Sequence, residues 1–348
     1  MRFGCADFAL APGERPLVIA EVGVNHNGDP ARAMAMVDAA AAAGADIVKF
    51  QAFRSAREIS RHAALAPYQR KGEDAAGQLE LCSALELSPR TLTDLRDYCD
   101  SRGVPSLFAA FESESLDFLV RGLGLATVKI PSGEVTNMPL LRQAGRSGAS
   151  VILSTGASEL EEVAEAIKIL RQAGCRELML FHCVSEYPAP PEQVNLRAMR
   201  TMAEAFGVPV GFSDHTIGAA AAIAAAALGA AAIEKHFTLD RTLPGPDHQA
   251  SIEPEELAGM IAGVRLAWQA LGDGQKIPQP CERANRPLIR KSLVAARPLA
   301  KGAVLAEADL EVKRPEAGLA PGRLDEVVGR TLARALEEDE PLRWEDLA

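Results

Sequence analysis

Short apolar, β-branched runs alternate with alanine-rich segments along the first three quarters of the chain. The runs have the length of buried strands, and the alanine-rich segments carry apolar residues at helical spacing. This alternation is typical of βα units around a parallel sheet. The pattern predicts eight strands: Leu17–Glu21, Asp46–Phe50, Val104–Ala109, Ala126–Ile130, Ser150–Ser154, Leu178–His182, Val208–Phe212 and Ala231–His236.

A helical pattern follows most of these strands, and several of the helices open with a capping residue or an early proline. Eight such units suit a (β/α)8 barrel of about 250 residues. No GxGxxG motif follows the first strand, so the barrel is favoured over an open, doubly wound sheet. The predicted helices are Pro30–Ala43, Pro89–Arg102, Ser113–Gly122, Met138–Gly148, Glu159–Gly174, Leu196–Phe206, Ile217–Leu228 and Pro254–Leu271.

Two segments depart from this regular alternation. The stretch from Ala52 to Leu87 is too long for a simple βα loop, so we expect an excursion that covers part of the site. After Gly272 the sequence becomes polar and rich in Gly and Pro, as in an interdomain linker. The pattern therefore predicts a barrel over residues 1–272, a linker over 273–284 and a small, irregular β domain over 285–348. We expect that domain to lean on another surface, because its own core is modest.

Composition and charge exclude several classes of function. The formal net charge is -10, which disfavours binding to nucleic acid or to anionic membranes. The N-terminal residues hold no apolar run that could act as a signal sequence. The longest apolar stretch, residues 217–233, is mostly alanine and predicts a buried helix followed by a strand rather than a membrane span. The six cysteines are scattered, so we expect free thiols in a reducing cytoplasm.

Polar residues occur at the carboxyl ends of seven of the eight predicted strands. In a barrel these ends meet at one mouth, where functional groups lie. A single charged residue there would most often be a solvated rim residue, but seven strands with such ends indicate a site. Lysine and serine side chains are suited to holding a phosphate and a carboxylate. The candidates of this kind are Lys49, Lys129, Ser132, Ser154 and Ser213.

Two histidines, His215 and His236, lie at the ends of adjacent predicted strands. With carboxylates such as Glu21 and Asp247 nearby, the pair suits a divalent transition metal that keeps open coordination positions. The alternative is that one of them is a hydrogen-bonded structural histidine. The two lysines also permit a Schiff base with a ketone substrate. The histidine pair argues against that mechanism, because Schiff-base aldolases need no metal.

A series of motifs, in order from about Leu17 to the C-terminus, resembles the sialic acid synthase family. The motifs are IAEVGVNHNGD, GADIVKFQAF, KIPSGEVTNMPLL, ILSTGAS, FHCVSEYPAPPEQVNLRAM, VGFSDHTIG, IEKHFTLDRTLPGPDHQAS and VKRPEAGLAP. The resemblance implies a phosphoenolpyruvate-binding (β/α)8 barrel followed by a small antifreeze-like (SAF) domain. It also implies a domain-swapped homodimer, in which the small domain of one chain covers the barrel mouth of the other.

The resemblance further implies a role for each matched residue. The implied catalytic residues are Glu21, Lys129 and Glu134. His215 and His236 would ligate a divalent metal ion, Mn2+ first, with Mg2+ or Co2+ as alternatives. Glu134 would activate the water, and Arg314 would reach across the dimer to the sugar. The implied substrate-binding residues are Lys49, Gln51, Ser132, Ser154, Tyr187, Ser213, Asp247 and Arg314.

The reaction implied by the resemblance joins phosphoenolpyruvate, N-acetylmannosamine and water to give N-acetylneuraminate and phosphate by C–O cleavage. The close alternative uses 2,4-diacetamido-2,4,6-trideoxymannose and gives N,N'-diacetyllegionaminate. A pseudaminate synthase and a Schiff-base pyruvate aldolase are more remote alternatives. An ice-binding role is disfavoured because the C-terminal segment is too charged for a flat apolar face.

Three positions depart from the family's pattern. Ala109-Ala110 replace a Thr-Pro pair whose threonine helps to hold phosphate. Ser185 stands where neuraminate-type members have Asn, and Glu316 stands where Gly is commoner. These departures bear on the identity of the sugar rather than on the type of reaction.

Overall fold

A computed structural model describes residues 3–4, 9–10, 14–64 and 77–348. The chain forms two compact units, Met1–Gly272 and Asp273–Ala348. A two-stranded antiparallel ribbon, Phe3–Gly4 with Ala9–Leu10, precedes the larger unit's main sheet. All five cysteines in the described residues are free thiols, and Cys5 lies outside the described residues.

The larger unit is a closed barrel of eight parallel strands, as predicted. Each strand pairs with the next along the chain, and the eighth strand pairs with the first. The strands are β1 Leu17–Gly23, β2 Ile47–Ala52, β3 Ser106–Ala110, β4 Thr127–Ile130, β5 Ser150–Ser154, β6 Leu178–His182, β7 Val210–Asp214 and β8 Ala232–His236.

Two strands extend further toward the mouth than their apolar runs indicate. Strand β2 continues through Gln51 to Ala52, which pairs with Ala110, and β7 continues to Asp214, which pairs with Lys235. Main-chain hydrogen bonds to neighbouring strands hold these residues regardless of their polarity. Gln51 and Ser213 are therefore fixed on the barrel wall rather than on loops.

Helices surround the barrel, and several begin where the sequence provides a cap. Asp29 accepts a hydrogen bond from the Ala31 N–H at the start of the first helix, which ends at Gly44 in the left-handed conformation. The helices of this unit are α1 Pro30–Ala43, α2 Ser55–Glu58, α3 Gln78–Ser83, α4 Pro89–Ser101, α5 Ser113–Asp117 (continued by a π turn, Phe118–Gly122), α6 Met138–Arg146, α7 Leu160–Ala173, α8 Ala198–Phe206, α9 Ala220–Ala227 and α10 Pro254–Leu271.

The barrel interior is filled by an apolar layer below a polar one. The apolar layer consists of Ile19, Ile47, Leu107, Ile152, Met179, Phe181 and Ala232. Because side chains alternate along a strand, the residue two positions further on faces the same way. Those positions carry Glu21, Lys49, Ser154 and Glu234, all of which are buried. The alternation thus places a layer of polar groups directly above the apolar layer, at the mouth of the barrel.

The smaller unit has its own leucine-rich core, built around residues such as Leu293, Leu305 and Leu332. Strands β9 Ser292–Ala295 and β10 Leu310–Lys313 pair antiparallel, and helices α11 Arg286–Ile289 and α12 Leu324–Val327 are short. Residues 271–291, which include α11 and lead into β9, are all exposed. In the described part of the chain, every helix is too short or too polar to cross a bilayer.

Candidate active site

A cavity of about 380 Å³ opens at the carboxyl ends of the barrel strands. It brings together most of the residues that the sequence predicts for the site. Those that line it are Glu21, Lys49, Gln51, Lys129, Ser132, Ser154, Tyr187, Ser213, His215, His236 and Asp247. Glu134 is absent from the cavity wall, and Arg314 belongs to the smaller unit.

Glu234 lies between the two lysines of this cavity, Lys49 and Lys129. Both of its carboxylate oxygens accept hydrogen bonds from the Lys129 ammonium group, at 2.7 and 2.6 Å. Ser213 Oγ donates to the same carboxylate at 3.1 Å, and Lys49 Nζ lies 3.6 Å away. Our sequence analysis did not assign Glu234 to the site. It faces the cavity because it lies two residues before His236 on β8.

The second lysine has a carboxylate partner of its own. Lys49 Nζ lies 2.7 Å from Glu21 Oε2, and Gln51 Nε2 donates to Glu21 Oε1 at 2.9 Å. Glu21, Lys49 and Glu234 each have side chains less than 5% exposed. The two ammonium groups are thus fixed in position before any ligand enters, so an incoming anion meets a preorganised site.

Burial and charge act against each other in this cluster. Burial favours the neutral form of Glu234, but the Lys129 and Lys49 ammonium groups lower its pKa to about 2. Burial raises the pKa of Glu21 in spite of Lys49, and burial lowers the pKa of Lys129 in spite of Glu234. Burial also disfavours the charged form of Lys49, yet Glu21 and Glu234 raise its pKa overall. Of the two carboxyls in the cluster, Glu21 therefore binds a proton more readily than Glu234 does.

A small cradle of polar groups lies beside the lysines, at the ends of β4, β5 and β6. The Gly156 N–H donates to Ser132 Oγ at 2.9 Å, and Ser132 Oγ lies 3.2 Å from Cys183 Sγ. A Cβ on Gly156 would lie 2.3 Å from Ser185 Oγ, 2.9 Å from Cys183 Sγ and 3.0 Å from Ser132 Oγ, so a larger residue there would displace these side chains. Ser154, which is buried, completes this side of the cavity. Hydroxyls and a close backbone approach suit the oxygens of a phosphate.

The two histidines lie next to each other, as the sequence predicts. Their ring centroids are 5.4 Å apart, and the Tyr187 ring lies 4.2 Å from His215 and 5.4 Å from His236. The Val184 carbonyl accepts from His215 Nδ1 at 2.6 Å, so we assign the proton to Nδ1 and the lone pair to Nε2, which lies 3.3 Å from Ser213 Oγ. Burial lowers the pKa of His215 to about 4 and that of His236 well below its ordinary value. Both rings are therefore neutral near pH 7, as metal ligands must be.

Asp247 completes the histidine side of the cavity. Its Oδ2 atom lies 3.6 Å from His236 Nδ1, a buried nitrogen that has no hydrogen-bond partner in the described part of the chain. Burial, followed by the Glu21 charge, raises the pKa of Asp247 to about 7. A polar nitrogen left unpaired in this way is costly unless a ligand satisfies it.

The raised pKa of Asp247 predicts a pH-dependent stability. The folded protein prefers the neutral acid, whose pKa is about 7 against an ordinary value of 3.8. As pH rises from about 4 to about 7, ionisation of Asp247 therefore costs stability, by about 4 kcal/mol at most. In metal-free protein, Asp247→Asn should raise Tm over wild type much more at about pH 8.5 than at about pH 5. Thermal melts of both proteins, with the exposed-site variant Glu255→Gln as control, test this; an equal Tm difference at both pH values would contradict it.

Glu134 and Arg314 are placed differently from the other predicted residues. Glu134 ends a short 3-10 turn, Ser132–Glu134, and accepts from Asn137 Nδ2 at 2.5 Å, with its pKa raised by burial. Its carboxylate is thus engaged at the start of α6, and its role in activating water stays a prediction. Arg314 follows β10 in the smaller unit and is exposed. Its role toward the sugar also stays a prediction.

One wall of the cavity is apolar and comes largely from the excursion between β2 and α4. Val24, Phe53 and Leu85 form a buried cluster, with Cys82 and Phe111 packed against it. All five line the cavity, and the rings of Phe53 and Phe111 meet edge to face at 5.8 Å. Sequence reasoning located the excursion but did not identify this wall. The cavity therefore holds two lysines paired with carboxylates on one side, two imidazoles on a second and apolar side chains on a third.

The comparisons with known proteins agree with this architecture. The sequence profile of the NeuB family matches residues 36–276, and that of the SAF domain matches residues 290–348. The chain belongs to the NeuB family. The described smaller unit accordingly carries the SAF domain that the resemblance implies.

Several relatives of this NeuB-family chain are named as synthases of legionaminic, pseudaminic or N-acetylneuraminic acid compounds. The chain is 42% identical to an N,N'-diacetyllegionaminic acid synthase of Campylobacter jejuni, over 95% of this chain and 99% of that protein. It is 34% identical to the human N-acetylneuraminate-9-phosphate synthase, over 96% and 93% of the two chains. The crystal structure of an N-acetylneuraminic acid synthetase from Leptospira borgpetersenii, in complex with citrate, covers 82% of this chain and 95% of its own, with 32% identity and a TM-score of 0.72.

Proposed function

We propose that this chain condenses phosphoenolpyruvate with 2,4-diacetamido-2,4,6-trideoxymannose and water, giving N,N'-diacetyllegionaminate and phosphate. One observation carries the proposal: two buried lysines with a serine cradle share a single cavity with two neutral histidines. The first group suits an enol phosphate with its carboxylate, and the second suits the activation of a sugar aldehyde. The family assignment supports the same reaction.

Two observations favour the diacetamido sugar over N-acetylmannosamine, the first sugar that the sequence suggests. The Campylobacter relative, a legionaminic acid synthase, is more similar to this chain than the human relative is. The diacetamido sugar also carries methyl groups at C6 and on a second acetamide, where N-acetylmannosamine has hydroxyls. An apolar wall of Val24, Phe53, Leu85 and Phe111 favours methyl groups and leaves hydroxyls without partners.

The residues of the chain divide the work of this reaction. Lys49, Lys129 and the serine cradle bind phosphoenolpyruvate and hold its charged groups, so that its C3 faces the sugar's aldehyde carbon. C3 forms the new C–C bond, and Glu21, which binds a proton more readily than Glu234 does, supplies one to the aldehyde oxygen. Water then adds at C2 of the former enol, and the proton that it loses replaces the one that Glu21 supplied. The bond between C2 and the oxygen that bridges C2 to phosphorus breaks. The lysines stabilise the phosphate that leaves with this oxygen.

The histidine side of the cavity fits a divalent metal ion. His215 Nε2 carries a lone pair and lies 3.3 Å from Ser213 Oγ, a hydroxyl that donates to Glu234. Within the described residues, His236 Nδ1 is buried and unpaired, and the Asp247 carboxylate lies 3.6 Å from it. Among the described residues, no three His, Cys, Asp or Glu side chains already converge as a complete ligand set. We propose that His215 and His236 hold the ion and leave positions open for substrate. Bound there, it would polarise the sugar's carbonyl as a Lewis acid.

A side-by-side assay tests the proposed function. Phosphate release is measured with phosphoenolpyruvate and each sugar in turn, and with phosphoenolpyruvate alone. We expect release only when a sugar is present, with kcat/KM at least about tenfold higher for the diacetamido sugar. A preference for N-acetylmannosamine would instead favour the assignment as an N-acetylneuraminate synthase. Release without any sugar would contradict the condensation itself.

Arg314 provides a prediction about the sugar and about assembly. It is exposed, and its guanidinium has no ion-pair partner within residues 14–64 and 77–348. We propose a homodimer in which this arginine of a second copy reaches the sugar. Arg314→Ala should raise KM for the sugar by about tenfold, the cost of one hydrogen bond from a charged group, and leave KM for phosphoenolpyruvate nearly unchanged.

Steady-state kinetics with each substrate varied in turn checks this prediction. Arg323→Ala is the matched control, because Arg323 is an exposed arginine of the same unit that pairs with Glu326. Unchanged sugar kinetics in the Arg314 variant would contradict the role of this arginine.

The five free thiols suit a reducing compartment, so we also propose that the protein works in the cytoplasm.

A further inference from the structure

A buried ion pair lies behind the two histidines, on the side of the strands that faces away from the cavity. Lys235 on β8 and Asp214 on β7 are register partners, with side chains only 1% and 0% exposed. Lys235 Nζ donates to Asp214 Oδ2 at 2.9 Å. Neither residue lines the cavity, so the proposed mechanism gives neither of them a task.

This ion pair also holds the turn that follows His215. Asp214 Oδ1 accepts from the Thr216 N–H and from Thr216 Oγ1, each at 2.8 Å, and the Lys235 ammonium donates to the Thr216 carbonyl. His215 lies between Asp214 and Thr216 in the chain. Its backbone is therefore fixed on both sides by a network that is anchored on β8, the strand that carries His236.

A role in stability alone explains this network poorly. Taking a lysine and an aspartate out of water costs several kcal/mol per ion, and apolar replacements of similar volume are often neutral or stabilising. A fully bonded buried network does, however, impose one geometry on the groups that it ties together. Here those groups are the two strand ends that place the histidine rings 5.4 Å apart.

We propose that Lys235, through Asp214 and Thr216, is a positioning residue that sets the spacing of His215 and His236 for a shared divalent ion. This inference rests on the metal site of the proposed function. It gives Lys235 a role distinct from the cavity lysines, which face phosphoenolpyruvate. The loss of Lys235 should therefore weaken metal binding and spare phosphoenolpyruvate binding.

The test measures Mn2+ affinity directly, by titrating metal-free protein and following the EPR signal of free Mn2+. Lys235→Met should raise the Kd for Mn2+ by about 10- to 100-fold, the range typical of residues that orient metal ligands. KM for phosphoenolpyruvate should stay within about threefold of wild type. The cavity lysines are held by Glu21 and Glu234, and not by the Lys235–Asp214 pair. This split between the two ligands would not arise from a general loss of stability.

Two further variants keep the test decisive. Asp214→Asn/Lys235→Met removes the buried charge that the single change leaves unpaired, so it should fold well and still bind Mn2+ weakly. Ile233→Val alters a buried residue on the same face of β8 without touching the network, and should bind Mn2+ as wild type does. The inference about Lys235 would be overturned if both Lys235 variants bound Mn2+ with wild-type affinity. It would also be overturned if Ile233→Val weakened Mn2+ binding equally. Either result would leave the proposed metal site intact. A wild-type protein that binds no Mn2+ would overturn the inference together with the proposed metal site.

Discussion

Lys129→Met should lower kcat/KM for phosphoenolpyruvate by about 10³-fold. Lys129 makes two hydrogen bonds to the buried Glu234 carboxylate, and its ammonium group lies 4.7 Å above the centroid of the Phe181 ring. Its removal deletes a cation that holds the substrate and leaves Glu234 with Lys49, 3.6 Å away, as its nearest charge partner. Removing one preorganised group that stabilises charge in the transition state costs roughly 10²- to 10³-fold in rate. Breaking the buried ion pair on one side also costs roughly 3–5 kcal/mol of folding stability, which is a separate effect.

A double variant separates the loss of binding from the loss of folding. Lys129→Met/Glu234→Gln removes the unpaired carboxylate charge, so it should recover much of the Tm that the single variant loses. It should not recover kcat/KM, because the substrate's anionic groups still lack a cation. Steady-state kinetics and thermal melts on both variants check this. An Lys129 variant that is folded and within tenfold of wild-type kcat/KM would contradict the proposed phosphoenolpyruvate site.

Removal of divalent cations should abolish phosphate release, and His236→Gln should prevent Mn2+ from restoring it. The expected loss is about 10³-fold or more, because a Lewis acid contributes several kcal/mol to the transition state. His236 is the sensitive position, since its buried Nδ1 has no hydrogen-bond partner in the described part of the chain and lies beside the Asp247 carboxylate. The measurement is phosphate release after EDTA treatment, before and after Mn2+ is added back.

His182→Gln is the matched control for the metal experiment. His182 also ends a barrel strand, but its Nε2 bonds to the Val194 carbonyl at 2.7 Å and it does not line the cavity. This variant should respond to EDTA and to Mn2+ as wild type does. Full activity in protein shown by elemental analysis to be free of metal would contradict the metal role of the histidines.

Alternation along parallel strands explains why so much of the site is readable from the sequence. Ile19, Ile47 and Ile152 fill the barrel floor, and Glu21, Lys49 and Ser154 follow two residues later on the same strands. When an apolar side chain on a strand points into the barrel, the side chain two residues further along that strand also points inward. The same rule places Glu234 in the cavity, because it lies two residues before His236 on β8.

Other features of the site depend on tertiary structure that local patterns do not encode. The Gly156 N–H is a backbone donor, and every residue except proline supplies one, so no letter of the sequence marks it. The apolar wall joins Phe53 to Leu85 across the excursion between β2 and α4. Glu134 follows a strand end, yet a 3-10 turn directs its carboxylate toward Asn137 rather than into the cavity wall.

The fate of one oxygen atom tests the central claim most directly. Phosphoenolpyruvate is supplied with ¹⁸O in the oxygen that joins C2 to phosphorus, together with the diacetamido sugar, and the released phosphate is analysed by mass spectrometry. If water adds at C2 and the C2–O bond breaks, the phosphate carries the ¹⁸O. Unlabelled phosphate would mean that the P–O bond breaks instead, as in a route through pyruvate, and would contradict the account.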